Sequence, residues 1–106
     1  MKMNRKESLK AISNVLRKFP EIESYVFGSS ARGDYNDSSD IDLLILLPDN
    51  LNPLERIKKQ QDIIGELLPI EWESGFDISP VILQHKVWNQ RKTPFTINVM
   101  NERKAL

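Results

Sequence analysis

At 106 residues, with 15 basic and 15 acidic side chains and no cysteine, the chain has room for one core. The missing thiols exclude disulfides, thiol catalysis and thiolate metal sites. Its composition, 40% apolar and 28% charged, is that of an ordinary globular domain, and residues 1–106 are read as a single domain.

No apolar run approaches membrane-spanning length, and the start, MKMNRKESLK, lacks a signal-peptide core, which predicts a cytoplasmic protein with no membrane partner. The zero net charge hides a pattern. Residues 1–20 hold six basic and one acidic residue, and residues 21–50 hold one basic and seven acidic. Residues 51–85 hold three and six, and residues 86–106 hold five and one. An acidic middle suits a metal site, while basic ends suit phosphates, an acidic partner or plain solvated helix faces. No long basic tract argues for nucleic acid as a partner.

Residues 5–19 predict an amphipathic helix, because Leu9, Ile12, Leu16 and Phe19 recur at steps of three and four. Asn4 and Glu7 have capping-box spacing, and Pro20 marks the stop. Ile22 to Phe27 reads as a strand, followed by GSSARGDYNDSSDID from Gly28 to Asp42. Gly28 permits close backbone approach, and Ser29 and Ser30 offer hydroxyls and amides at the start of a short helical turn, where N–H groups attract anions. Arg32 can meet a phosphate or neutralise Asp34 or Asp37, and Ser39 can cap the loop before Asp40.

Leu43 to Leu47 is an unbroken apolar run, as expected of a strand buried on both faces. Asp40 and Asp42, flanking Ile41, then point to one side of it. A helix is predicted from Asn52, with Pro53 first, Glu55 completing a cap and Pro69 as its end. Leu54, Ile57, Ile64, Leu67 and Leu68 form its apolar face, and Glu71, Trp72 and Glu73 fall in the loop beyond. Gly75 to Leu83 reads as a third strand, with Phe76, Ile78 and Ile82 on one face and Asp77, Ser79 and Val81 on the other. Pro80 demands an edge position or a bulge there. A last short helix follows Thr93 and Pro94, with Phe95 and Val99 inward. His85, alone past the third strand, reads as incidental, and Trp72 and Trp88 read as packing residues rather than base-stacking platforms.

Two neighbouring carboxylates repel unless a cation lies between them, and hard oxygen ligands favour Mg²⁺ or Mn²⁺. An anion cradle facing such a pair is equipment for a nucleoside triphosphate. Asp77 by composition alone reads as a solvent-face residue beside Ser79.

Gly28-Ser29, then ten residues, then Asp40-Ile41-Asp42, resembles the signature of the DNA polymerase β-like nucleotidyltransferase superfamily. The short chain and the forms GSSARG and SDIDLLI are most similar to its minimal nucleotidyltransferase branch. The resemblance implies an α/β (α+β) fold, a palm alone, with a small mixed sheet and helices packed on one face. It implies two Mg²⁺ ions, with Mn²⁺ as a substitute. FDISPVIL matches the strand that supplies the family's third carboxylate, so Asp40, Asp42 and Asp77 become the expected catalytic and metal-binding acids. Glu71 and Glu73 are rivals for that third carboxylate, and Asp77 also becomes the expected general base. Gly28, Ser29, Ser30 and Arg32 become the expected residues for ATP or another nucleoside triphosphate. The family further implies an antitoxin that transfers AMP to a tyrosine of a small helical HEPN-type toxin. Two other readings stay open: an idle palm that masks a partner, and a transferase for small molecules such as aminoglycosides.

Overall fold

The computed structural model describes residues 3–36 and 40–106. Its elements run α1 (Arg5–Leu16), β1 (Glu23–Phe27), α2 (Ser29–Arg32), β2 (Ile41–Leu47), α3 (Pro53–Ser74), β3 (Ile78–Gln84), α4 (His85–Gln90), α5 (Pro94–Glu102) and β4 (Lys104–Ala105). The strands form one sheet in the order β3-β2-β1-β4. β1 runs antiparallel to both β2 and β4, whereas β2 and β3 are parallel, so the sheet is mixed as expected.

β2 is the spine. Its apolar run splits by alternation between two cores, since successive strand residues face opposite sides. Ile41, Leu43, Ile45 and Leu47 join Ile12, Leu16, Ile63, Leu67 and Ile70 under α1 and α3. Leu44 and Leu46 join Phe27, Trp88 and Val99 under α4 and α5. Each such buried aliphatic side chain contributes about 1.5–3 kcal/mol of transfer free energy, enough to fix which face each residue of β2 takes. The two long helices lie on one face as expected, and the short α4 and α5 add a smaller layer on the other.

Local signals set several boundaries. Asn4 caps α1 through the Glu7 amide, and Glu7 returns the bond to the Asn4 amide. Asn52 and Glu55 repeat the device on α3, with Pro53 at its first position. Pro80 sits in β3, the edge strand, as its missing N–H requires.

α3 departs from expectation in two ways. It runs through Pro69 and ends only at Gly75, a C-cap with φ 77°. Proline removes the bond to the carbonyl four residues back and crowds it. That carbonyl belongs to Gly65, and the turn beyond Pro69 is anchored by buried Ile70 and Ser74. Glu71, Trp72 and Glu73 are therefore helical, not in a loop. The buried stripe is Ile63, Leu67, Ile70 and Ser74, while Leu54, Ile57 and Ile64 are exposed. Trp72 is 74% exposed, so it is no core residue, whereas Trp88 is buried. Phe95 is about half exposed, yet it meets Phe27 and Trp88 edge-on, with ring centres 5.9 and 6.5 Å apart.

Candidate active site

β1 ends at Phe27, and the backbone turns at Gly28 with φ 71° and ψ −152° before winding into α2. The Gly28 carbonyl accepts from the amides of Ala31 and Arg32, each at 3.1 Å, which ties the turn to itself. Gly33, with φ 84°, stops α2 after one turn. In the neighbouring strand Asp42 is the register partner of Phe27. Its carboxylate lies so close to the Gly28 backbone that a Cβ there would come within 2.6 Å of Asp42 Oδ2. Only glycine combines that dihedral with that approach.

Asp42 is half-buried and Asp40 exposed, and Ile41 between them is fully buried on the opposite face. Burial pushes the Asp42 carboxyl above its ordinary value, the charge on Asp40 pushes it further, and Arg32 opposes the rise. A partly desolvated carboxylate beside a second, exposed one of like charge is a fit for a divalent cation, and Mg²⁺ or Mn²⁺ is the matching class.

Asp77 stands just before β3, and its carbonyl accepts from the Ile41 amide at 2.9 Å. The parallel register pairs Ile41 with Ile78 and Asp42 with Ser79, so one step back sets Asp77 across from Asp40. By alternation Asp77 and Ser79 share the face of Asp40 and Asp42. Among the described residues no three His, Asp or Glu side chains close into a metal cluster, so the structure shows the pair, with Asp77 beside it at the strand entrance. Glu71 is otherwise engaged: its Oε1 accepts from the Ile78 amide at 2.9 Å and holds the start of β3. Glu73 is exposed on α3.

Arg32 donates from Nε to Asp34 at 3.1 Å and from Nη1 to Glu102 of α5 at 2.9 Å. These two hydrogen bonds raise its pKa further. Asp37, the other expected neighbour of Arg32, and Ser39, the expected loop cap, lie outside the described residues. Ser29 and Ser30 open α2, and the Ser30 hydroxyl accepts from Arg5 Nη1 at 2.7 Å.

Arg5 is the residue that sequence reasoning missed. Its position in a basic N-terminal segment gave no hint of burial, yet it is 5% exposed. The buried stripe of α1 is Arg5, Ser8, Ile12 and Leu16. Extending the Ile12–Leu16 stripe backward by helical steps reaches Ser8 and Arg5, and that was the available signal.

A mixed sheet that sets a Gly-Ser turn against paired aspartates is the scaffold of enzymes that move a nucleotidyl group. The chain belongs to the nucleotidyltransferase domain family, whose model matches residues 9–105. It is 35% identical over 97 residues to a Methanocaldococcus jannaschii protein provisionally named a protein adenylyltransferase; the match covers 91% of this chain and 88% of the relative. Two solved structures share the fold. One is a toxin–antitoxin with AMP-PNP, at TM-score 0.54 and 22% identity, over 96% of this chain and 72% of the other. The second is a provisionally named nucleotidyltransferase from Sulfolobus solfataricus, at TM-score 0.50 and 21% identity, over 92% and 80%.

Proposed function

We propose that the protein is a Mg²⁺-dependent adenylyltransferase that transfers AMP from ATP to a hydroxyl of a protein partner, breaking the α–β phosphoanhydride bond and releasing pyrophosphate, and that it acts as the antitoxin of a toxin–antitoxin pair. The observation that carries this is the approach of Asp42 to the Gly28 turn, which would bring a metal-binding carboxylate and a phosphate-binding backbone into one site. The 35% identical relative, named for protein adenylylation, supports AMP as the group and protein as the acceptor. The structural neighbour described as a toxin–antitoxin with AMP-PNP supports both the nucleotide and the setting.

In this reading Gly28, Ser29 and Ser30 hold the triphosphate. Arg32 joins them by turning toward a phosphate from Asp34 or Glu102. Asp40, Asp42 and Asp77 would hold Mg²⁺, which when bound would neutralise the triphosphate and acidify the acceptor hydroxyl. Asp77, exposed at the entrance of β3, takes the acceptor proton. The remaining catalysis is positioning and electrostatics, which a small palm can supply. The acceptor is a tyrosine on a small helical HEPN-type protein.

Intact-mass spectrometry of the chain co-expressed with its co-encoded helical partner tests this. The partner should gain whole AMP units on tyrosine, and Asp40→Asn/Asp42→Asn should abolish the gain. A tightly bound partner that carries no nucleotide, neutralised equally well by the double variant, would establish the masking role instead.

A further inference from the structure

Arg5 lies outside the Gly28–Asp42 motif, yet it touches four of the segments that converge on the site. From the first turn of α1 its Nη1 donates to the Ser30 hydroxyl at 2.7 Å and to the Asp40 carbonyl at 3.4 Å. Its Nη2 donates to the Asn36 carbonyl at 3.1 Å. The guanidinium is also held between two rings, 4.5 Å from the centre of Tyr35 and 4.5 Å from that of Phe76. Phe76 adjoins Asp77, so one cation ties together the α2 turn, the loop after it, the entrance to β2 and the approach to β3.

We infer that Arg5 is a positioning residue for nucleotidyl transfer, fixing the Ser30 hydroxyl and the Asp40 main chain in the relation that the metal–triphosphate complex requires. This rests on the proposed reading that Ser30 and Asp40 hold that complex. Two physical features support it. A hydroxyl has one proton to donate and two lone pairs. With Arg5 N–H aimed at a lone pair, the Ser30 proton turns away from the guanidinium and is available to an anionic oxygen. A guanidinium is also a planar fork whose donors diverge in fixed directions, so it can hold a side chain and two carbonyls at once and stack between rings. A lysine ammonium carries the same charge but cannot reproduce that geometry. Contact with Tyr35 and Phe76 leaves the fork little freedom, so its bond to the Asp40 carbonyl constrains the main chain from which that carboxylate projects.

The test uses the full chain with Arg5→Lys and Arg5→Ala, beside wild type and Asp40→Asn/Asp42→Asn. Thermal unfolding without ligand reports folding, calorimetry reports Mn²⁺ and MgATP binding, and single-turnover assays with the partner report transfer. Arg5→Lys should still unfold cooperatively, at a lowered midpoint, while MgATP affinity measured well below that midpoint falls by about ten- to a hundredfold. Millimolar methylguanidinium should restore binding to Arg5→Ala, a rescue that a purely packing role would not show. Ser30→Ala should be non-additive with Arg5→Lys, because both break one contact. If Arg5→Lys binds MgATP as wild type does while Asp40→Asn/Asp42→Asn does not bind, the Arg5 role is wrong and the site reading stands. If the aspartate variant also binds normally, the site reading itself fails and the Arg5 role with it. If both Arg5 variants lose cooperative unfolding, Arg5 is a folding residue and the inference is overturned.

Discussion

Asp42 is held in a place that suits a metal ligand better than it suits the empty protein. Its carboxylate is partly desolvated, faces the charge of Asp40, and is pressed against the Gly28 backbone. A carboxyl whose pKa is raised by folding contributes stability that is complete below its unfolded value and is lost as pH rises through the folded one. At neutral pH the ionised Asp42 is therefore a cost in the metal-free protein, relieved in part by Arg32. We expect Asp42→Asn to raise the thermal midpoint at pH 7 in the presence of chelator. The gain should shrink as pH falls through the folded value, and below the ordinary value of 3.8 the wild-type side chain is neutral in both states. Scanning calorimetry across that range provides the check. A lowered midpoint at pH 7 would show that the ionised carboxylate makes net favourable contacts in the metal-free protein.

The elements show where local chemistry decides structure and where packing overrides it. The capping boxes at Asn4 and Asn52, the apolar run of β2 and the edge position of Pro80 were legible because each depends on residues near in sequence. Pro69 misled because its cost is local while its compensation is not: Ile70 and Ser74 hold the following turn in the core. The α3 stripe misled because periodicity finds an apolar face without showing how much of the helix the sheet covers. β4 spans only two residues, too short to carry a pattern, and α4 was hidden behind the end of β3. In the site, the Gly28 turn and the aspartate pair were legible from spacing, whereas Arg5 was not, because its partners lie 25 to 35 residues away. Before Ile63, α3 has no fully buried residue, so its start depends strongly on the Asn52–Glu55 cap. Asn52→Ala should cost about 1 kcal/mol in urea unfolding and leave AMP transfer unchanged. A stability loss below a few tenths would mean that the first turns of α3 are held by other contacts.

On the scale of the whole molecule, the sheet order decides how an acceptor arrives. β3 is an edge strand, and Asp77 at its entrance and Asp40 beside it are both exposed, so the proposed acid triad faces solvent at one end of the sheet. An acceptor that reaches such a site without help loses its freedom of motion there, and the cost is large unless another surface has already oriented it. In the proposed reading a folded partner would supply that orientation, and a tyrosine hydroxyl, with an ordinary pKa near about 10, would ionise more readily at a metal than a sugar hydroxyl does. On the proposed reading Asp77 should then matter to the acceptor rather than to the nucleotide, since Asp40 and Asp42 would remain to hold the triphosphate side. We expect Asp77→Ala to bind MgATP within about tenfold of wild type while transfer to the partner falls by at least about a hundredfold, the pattern of a lost transition-state interaction. Wild type should use ATP at least about a hundredfold more slowly with free tyrosine amide than with the partner. Single-turnover assays on both proteins, paired with calorimetry, read the two quantities separately. Transfer at the wild-type rate by Asp77→Ala would remove it from the triad and turn attention to Glu73, because Glu71 is already committed to the Ile78 amide.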